Sequence, residues 1–339
     1  GALCRLKPSV LYFVPGVHTP FRDLPISLQR RKGRTILSRS VSLRTGPPVP
    51  FSGRAALLSA ALAGAGLGGR KEIKISSFEA DLERVVYTYE TVAHFRKLHP
   101  GAPLYFLLGS DCLAGFPGWR RPGFILKNAR LLAGLRPGYA IRKNSGAPFT
   151  ALAGRFPMAD STGIRAELFL GRRPAQLHRA VLDRIEEKAL YLARERKLLK
   201  KFLSPGRYAH SLQTAELALR LAPGAGVPQQ KAALAALLHD CARDLPPGER
   251  RRLFLKSAPR AALPGLTLVE APVLAHAWAG AALAREKFGV KDEEVLEAIE
   301  GLGQPNSRWS QQDNPLTFTP VDDLADPGEA AGKILSRPL

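Results

Sequence analysis

The sequence predicts two successive folds: an α/β domain built on a parallel sheet, then an all-α domain. Three observations point there. Short apolar runs alternate with helical patterns through the first half of the chain, and the runs close at Gly or Pro, as βαβ units do. From about Gln176 the character changes to nearly continuous helical periodicity. With 339 residues, two domains is also the natural division. The expected boundaries are 1–190 for the α/β domain, with a loop insertion over about 22–50, then 191–300 for the helical domain and 301–339 for an irregular tail.

Taken in order, residues 10–14 (Val-Leu-Tyr-Phe-Val) end at Pro15 and read as a buried strand. Residues 22–50 break the pattern and read as a loop. A helix is expected over 54–62 and a short alternating strand at 73–75. The stretch 87–99 reads as a helix, with Tyr89, Val92 and Phe95 at three-residue spacing. Residues 104–108 form a strand closed by Gly109, and 131–135 another, closed by Arg136-Pro137-Gly138. Ligands of such sheets bind at the carboxyl ends of the strands. Further on, 180–202 reads as one long charged helix joining the domains. Within 207–222, Tyr208, Leu212, Ala215, Leu219 and Ala222 recur every three or four residues and mark one buried stripe. Residues 231–244 and 271–288 follow the same style. Beyond Glu300 the pattern dissolves into Gln, Asn, Pro and Asp.

Composition excludes some classes. Hydrophobic residues make up 45% and charged residues 23%, so the chain is not wholly disordered. No apolar run reaches the roughly 18–20 residues of a membrane span; the nearest, 55–69, is Gly-rich and ends in Arg70-Lys71. Cys4, Cys112 and Cys241 are few and far apart, which implies no disulfide framework and a soluble, reduced, cytoplasmic protein. The net charge is +21. Residues 1–60 carry ten basic side chains against one acid, Asp23. Such a field draws in polyphosphate substrates, serves a nucleic acid, or simply belongs to a solvated loop. The stretch 29–45 lacks the aromatic interleaving of a nucleic-acid surface.

Two groups of residues carry chemistry. Gly109-Ser110-Asp111 follows a strand directly, with Trp119 nearby. Glycine admits a close ligand, a carboxylate accepts ribose hydroxyls, and an indole stacks on a heterocycle. Ser161-Thr162-Gly163-Ile164-Arg165, where a helix begins, reads as a phosphate cradle or as simple N-capping by the hydroxyls.

These residues sit in ordered runs: Leu11-Tyr12-Phe13-Val14-Pro15, Thr19-Pro20-Phe21-Arg22, Tyr87-Thr88-Tyr89-Glu90-Thr91, Tyr105 to Asp111 through Trp119, and Asp160 to Arg165. Over 10–190 the chain thereby resembles the bacterial nicotinate mononucleotide adenylyltransferases, the NadD family. The resemblance implies a Rossmann-like nucleotidyltransferase domain that moves AMP from ATP to nicotinate mononucleotide with magnesium. Thr88 and Trp119 would then contact the nicotinate portion, Gly109 and Asp111 the nucleotide, and Ser161, Thr162 and Arg165 the triphosphate; Arg136 would join the nucleotide-binding set. That family opens with G-x-F-D-P-x-H-x-G-H, whose histidines stabilise charge on the transferred phosphate. No such run occurs here; His18 and His94 stand alone. The expectation is a truncated front domain that transfers AMP inefficiently.

The second group is His210, His239-Asp240 and His276. Imidazole and carboxylate are ligands for divalent metals. His210 shares a helix face with Thr214, Leu217 and Leu221, opposite the Tyr208 stripe. Two adjacent polar groups in the Ala- and Leu-rich helix before them cost too much to bury without partners; a shared cation would supply them. Arg207-Tyr208-Ala209-His210-Ser211, the run Leu237 to Pro246, and His276-Ala277 leading to Gly280 and Glu286 resemble the YqeK-type HD-domain hydrolases. That resemblance implies an iron-type two-metal centre hydrolysing diadenosine tetraphosphate symmetrically to ADP. His210, His239 and Asp240 would be ligands and His276 would serve the second metal. Arg243 would contact phosphate, and Asp240, Arg243 and Asp244 form the catalytic set. The family's later histidine is missing after Ile299, and Asp322, Asp323 and Asp326 are undistinguished sources of a closing carboxylate. Weak or single-metal occupancy is the expectation.

The leading reading is a fused enzyme of nucleotide metabolism with ATP, nicotinate mononucleotide and a dinucleoside polyphosphate as substrates, and no membrane partner. The alternatives are an HD phosphohydrolase with a non-catalytic nucleotide-binding front domain, and a basic nucleic-acid-binding protein, which the charge pattern disfavours.

Overall fold

The computed structural model describes residues 8–16, 30–31, 34–35, 49–113, 115–135, 147–152, 154, 159–257 and 272–302. The chain divides into two compact units, one of 1–165 with 173–188, the other of 166–172 with 189–339.

The first unit is α/β with parallel strands, as expected. Strand β1 (Leu11–Phe13) is followed by β2 (Arg30–Arg31) and β3 (Arg34–Thr35), helix α1 (Phe51–Gly64) and strand β4 (Ile73–Ile75). Next come α2 (Phe78–Asp81), α3 (Thr88–Leu98), β5 (Tyr105–Gly109), α4 (Ser110–Leu113) and a 3-10 turn at Phe116–Gly118. Then follow α5 (Pro122–Asn128), β6 (Arg130–Gly134), β7 (Phe149–Leu152), α6 (Ser161–Phe169), whose residues from Ala166 on belong to the second unit, and α7 (Arg179–Glu187). β1 pairs in parallel with β4, Leu11 opposite Ile73. β5, β6 and β7 form a second parallel ladder in that order, Leu108 opposite Ala133 and Ala133 opposite Ala151.

Two features depart from the sequence reading. The segment 22–50 is not wholly loop, because β2 and β3 pair antiparallel within it. β7 was not foreseen; its four residues hold too few alternations to stand out, and pairing with β6, which buries Leu152, defines it.

One face of the β5–β7 ladder carries the core of this unit. Leu108, Leu131 and Ala133 pack with Val92 of α3, Ile125 of α5, Leu113 and Phe116. Each large apolar side chain so buried contributes about 1.5–3 kcal/mol. α3 starts where it does because the Glu90 carboxylate accepts the Tyr87 N–H at 2.9 Å, and it ends with Arg96 and Lys97 at the negative end of its dipole.

The second unit is all-α: α8 (Ala193–Leu199), α9 (Pro205–Leu221), α10 (Gln229–Leu238), α11 (Pro247–Ser257), α12 (Pro272–Leu283), a π-helical turn at Ala284–Phe288, and α13 (Glu293–Leu302). The stripe on α9 faces its core, with Ala215, Leu219 and Ala222 buried and Tyr208 and Leu212 packed at the edge. Alanines dominate the buried faces of α10 and α12, and small side chains let helix axes approach closely. Gly280 of α12 is part of this. A Cβ there would lie 3.4 Å from the His239 carbonyl and from Ile299, and the Cys241 thiol donates to the Gly280 carbonyl at 3.4 Å.

The single long helix expected over 180–202 is broken into α7 and α8. Ala189, Tyr191 and Leu192 all adopt left-handed backbone, φ 50°, 53° and 62°. That conformation costs roughly 1–2 kcal/mol per non-glycine residue. The offset is visible: Leu192 is buried, and Arg196 donates to the carbonyls of Leu168, Phe169 and Tyr191 at 2.7–2.9 Å. A second correction concerns 231–244, where α10 stops at Leu238. His239 and Asp240 therefore sit at its C-terminal cap and the turn beyond, not inside a helix.

Candidate functional site

In the helical unit α9 supplies His210, the end of α10 supplies His239 and Asp240, and α12 supplies His276. His210, His239 and Asp240 each offer a ligand atom, and these atoms lie within 4.8 Å of one another. The two imidazole rings are tilted at 57° with centroids 5.3 Å apart. Donors about 2.1 Å from one ion are separated by roughly 3–4 Å, so small side-chain rotations close this group on a cation. The chemistry fits as well. His239 Nδ1 lies 2.8 Å from the Ala236 carbonyl, which can only accept, so Nδ1 carries a proton and Nε2 is the ring nitrogen that would face a cation. An N, N, O set of this kind suits a borderline or hard divalent ion.

Asp240 is 1% exposed. Burial alone would push its pKa up. The positive neighbourhood of His239, Arg243 and His276, with the Arg243 hydrogen bond, outweighs burial and holds the carboxyl below its ordinary range. Arg243 reaches both Asp240 oxygens at 3.2 and 3.3 Å. His276 Nε2 stands 3.4 Å from Asp240 Oδ1, so it meets the three-donor group through that carboxylate. Asp244 is placed differently. It accepts the Ser204 N–H at 2.8 Å, where α9 starts, and the Arg207 Nε at 2.6 Å. Arg207 Nη1 in turn lies 3.6 Å from Asp240 Oδ2. Asp244 therefore borders the centre through Arg207. Arg207 carried no role in the sequence reading, although its position one helical turn before His210 was the available signal.

In the α/β unit, Gly109 closes β5, and a Cβ there would sit 2.2 Å from Asp111 Oδ1. Only glycine leaves that carboxylate its place at the carboxyl end of the strand. Trp119 packs its indole against Phe106 of β5 and Phe116, centroids 6.1 and 5.1 Å away. Thr88 opens α3 between Tyr87 and Tyr89. The guanidinium of Arg120 lies over the Tyr87 ring at 4.6 Å, and that of Arg121 over the Tyr89 ring at 5.0 Å. The segments holding Thr88 and Trp119 thus meet. At the start of α6 the cap is Asp160, whose Oδ1 accepts the N–H groups of Thr162 and Gly163 at 2.9 and 2.7 Å. Capping by the Ser161 and Thr162 hydroxyls is thereby replaced. Both hydroxyl residues are exposed, and Arg165 donates to Thr162 Oγ1 at 3.3 Å. His94 stacks on Phe78 at 3.9 Å. Arg136, His18, Asp322, Asp323 and Asp326 lie outside the described residues.

A helical unit with His and His-Asp converging from separate helices defines a class, and residues 207–315 match the model of the HD domain family. The chain as a whole is similar to curated bacterial enzymes. It is 27% identical over 313 residues to a probable nicotinate-nucleotide adenylyltransferase/Ap4A hydrolase of Mycoplasma pneumoniae, a match covering 92% of this chain and 79% of that protein. A probable nicotinate-nucleotide adenylyltransferase of Clostridium tetani is 39% identical over 70 residues, 21% of this chain and 35% of the relative. A symmetrical bis(5'-nucleosyl)-tetraphosphatase of Halalkalibacterium halodurans is 38% identical over 111 residues, 32% of this chain and 57% of the relative. No described helix is long and apolar enough to cross a membrane.

Proposed function

We propose that the chain joins two activities of nucleotide metabolism: symmetrical hydrolysis of diadenosine tetraphosphate to ADP in the HD domain, and AMP transfer from ATP to nicotinate mononucleotide in the α/β domain. The observation that carries the hydrolase reading is the buried Asp240 with the His210 and His239 donors within 4.8 Å. His210, His239 and Asp240 would hold a divalent, iron-type cation, with His276 beside them. Such a cation supplies an activated water and neutralises phosphoryl oxygens. Arg243 holds the Asp240 carboxylate and presents a guanidinium suited to phosphate. Asp244 keeps Arg207 against the same carboxylate, which makes it a positioning residue.

In the α/β domain, Trp119 and Thr88 would hold the pyridine ribotide, and Gly109 and Asp111 the nucleotide at the end of β5. Ser161, Thr162 and Arg165, with Arg136, would meet the phosphates of ATP and its magnesium. Binding of the two nucleotides is the readout for this domain.

The hydrolase reading is tested by adding Mn²⁺ or Fe²⁺ to the purified chain and following ADP release from diadenosine tetraphosphate. Activity should need the metal, and His239→Ala should lower both turnover and calorimetric metal affinity by about 100-fold or more. Hydrolysis that persists unchanged in His239→Ala, or without metal, overturns it.

A further inference from the structure

A cation alone cannot tell the anhydride links of a polyphosphate apart. The bridge of a dinucleoside tetraphosphate has a central link and an outer link on either side, all of nearly equal chemistry. Symmetrical cleavage therefore needs a further positive group, held at a fixed offset from the metal-ligand carboxylate, that is filled by phosphate only when the central link is in place.

Two guanidiniums stand at the Asp240 carboxylate, and they stand differently. Arg243 reaches Oδ1 at 3.3 Å and Oδ2 at 3.2 Å, so its charge is centred on the carboxylate and marks no offset. Arg207 comes from α9 and lies to one side: its Nη1 is 3.6 Å from Oδ2, while His276 occupies the Oδ1 side at 3.4 Å. The anchor of Arg207 is a different acid. Its Nε donates to Asp244 Oδ1 at 2.6 Å, and Asp244 is tied to the backbone through the Ser204 N–H at 2.8 Å. At 3.6 Å the Nη1 hydrogens make no normal hydrogen bond with Asp240. The Arg207 side chain is 38% exposed beside a carboxylate that is 1% exposed, so it joins the buried centre to solvent. A guanidinium pinned through Nε keeps its Nη groups in one plane, a match for the oxygens of one phosphate.

We propose that Arg207 receives the outer phosphate of the half that water attacks and so sets the register in which the tetraphosphate is cut. The proposal rests on the hydrolase reading above. In the central register the water oxygen bonds to an inner phosphorus. The bond from that phosphorus to the central bridging oxygen breaks, and this oxygen leaves with the other half. Water gives up a proton, both products are ADP, and the outer phosphate of the attacked half fills Arg207. With the bridge slipped by one position, water bonds to an outer phosphorus and the products are AMP and ATP. Arg207 then faces an uncharged ribose and loses its contact, which disfavours that register.

The experiment separates the products of diadenosine tetraphosphate made by the full chain with Mn²⁺ in isotopically labelled water. Wild type should release ADP almost alone. Arg207→Gln should raise the ratio of AMP plus ATP to ADP by about tenfold or more, the effect of one charge-assisted hydrogen bond lost from one of two competing registers. The label should enter AMP, the half that water attacks. Arg207→Lys should fall between, since charge survives and the fork does not, and Asp244→Asn, which unpins Arg207, should shift the ratio the same way. Calorimetric Mn²⁺ affinity of Arg207→Gln should not fall below wild type, because removing a positive neighbour does not weaken the hold on a cation. If Arg207→Gln releases ADP alone, if the label enters ATP, or if its Mn²⁺ affinity drops as in His239→Ala, Arg207 sets no register and the proposal fails while the hydrolase reading stands. Should Arg207→Gln release nothing, the same ratio in Asp244→Asn decides. If wild type releases no ADP, the hydrolase reading fails and takes the proposal with it.

Discussion

Asp244 accepts the amide hydrogen at the start of α9 and the guanidinium of Arg207, so one carboxylate serves both a helix end and the border of the metal-ligand group. Burial raises its pKa, but the Ser204 bonds and the Arg207 charge lower it further, leaving it below the ordinary range. A depressed carboxyl stabilises the folded state above its ordinary pKa, and that contribution is lost as pH falls through the folded value. Asp244→Asn should therefore cost about 1 kcal/mol at neutral pH. The difference from wild type should shrink at and below roughly pH 4. Urea unfolding midpoints of both proteins across that range measure it. At this scale the sequence was informative where chemistry is local. His239-Asp240 is conspicuous in an Ala- and Leu-rich run, and its convergence with His210 follows from adjacent helices. Arg207 and the Asp160 cap were hidden because their roles depend on partners that only folding brings near.

At the scale of elements, regular patterns were readable and interruptions were not. The stripe on α9 announces itself through its spacing, and strands β5 and β6 through apolar runs closed by glycine or a turn. The break between α7 and α8 leaves no Gly or Pro to signal it; ordinary residues are held left-handed by buried Leu192 and by Arg196. Such a site has room for improvement. Ala189 is exposed with φ 50°, so Ala189→Gly should relieve strain and stabilise the chain by about 0.5–1 kcal/mol. A higher urea midpoint with an unchanged slope is the expected result, and a lower midpoint would show that the strain is absent.

For the whole molecule, each unit has its own hydrophobic core, one around the β5–β7 ladder and one among α9 to α13. Damage confined to one site should therefore leave the other intact. Trp119→Ala should weaken nicotinate mononucleotide binding by about tenfold or more, as expected for lost base–aromatic stacking, while metal affinity stays at the wild-type value. His239→Ala should do the reverse. Parallel calorimetric titrations of both variants decide this. The succession of α/β and all-α folds was legible because the period of hydrophobicity changes near residue 176. The partition of 166–172 with the second unit was not, since it follows from packing around Phe169 and Leu170 rather than from any change in composition.

Cys241, next in sequence to Asp240, is fully enclosed, and burial pushes its thiol far above the ordinary range while it donates to the Gly280 carbonyl. Thiolate is the reactive form toward alkylating reagents, so this sulfur is chemically silent while the helices stay packed. Exposed Cys112 offers the contrast. The rate at which iodoacetamide modifies position 241 consequently times the opening of the helical bundle, giving an internal clock for its integrity that needs neither substrate nor cation.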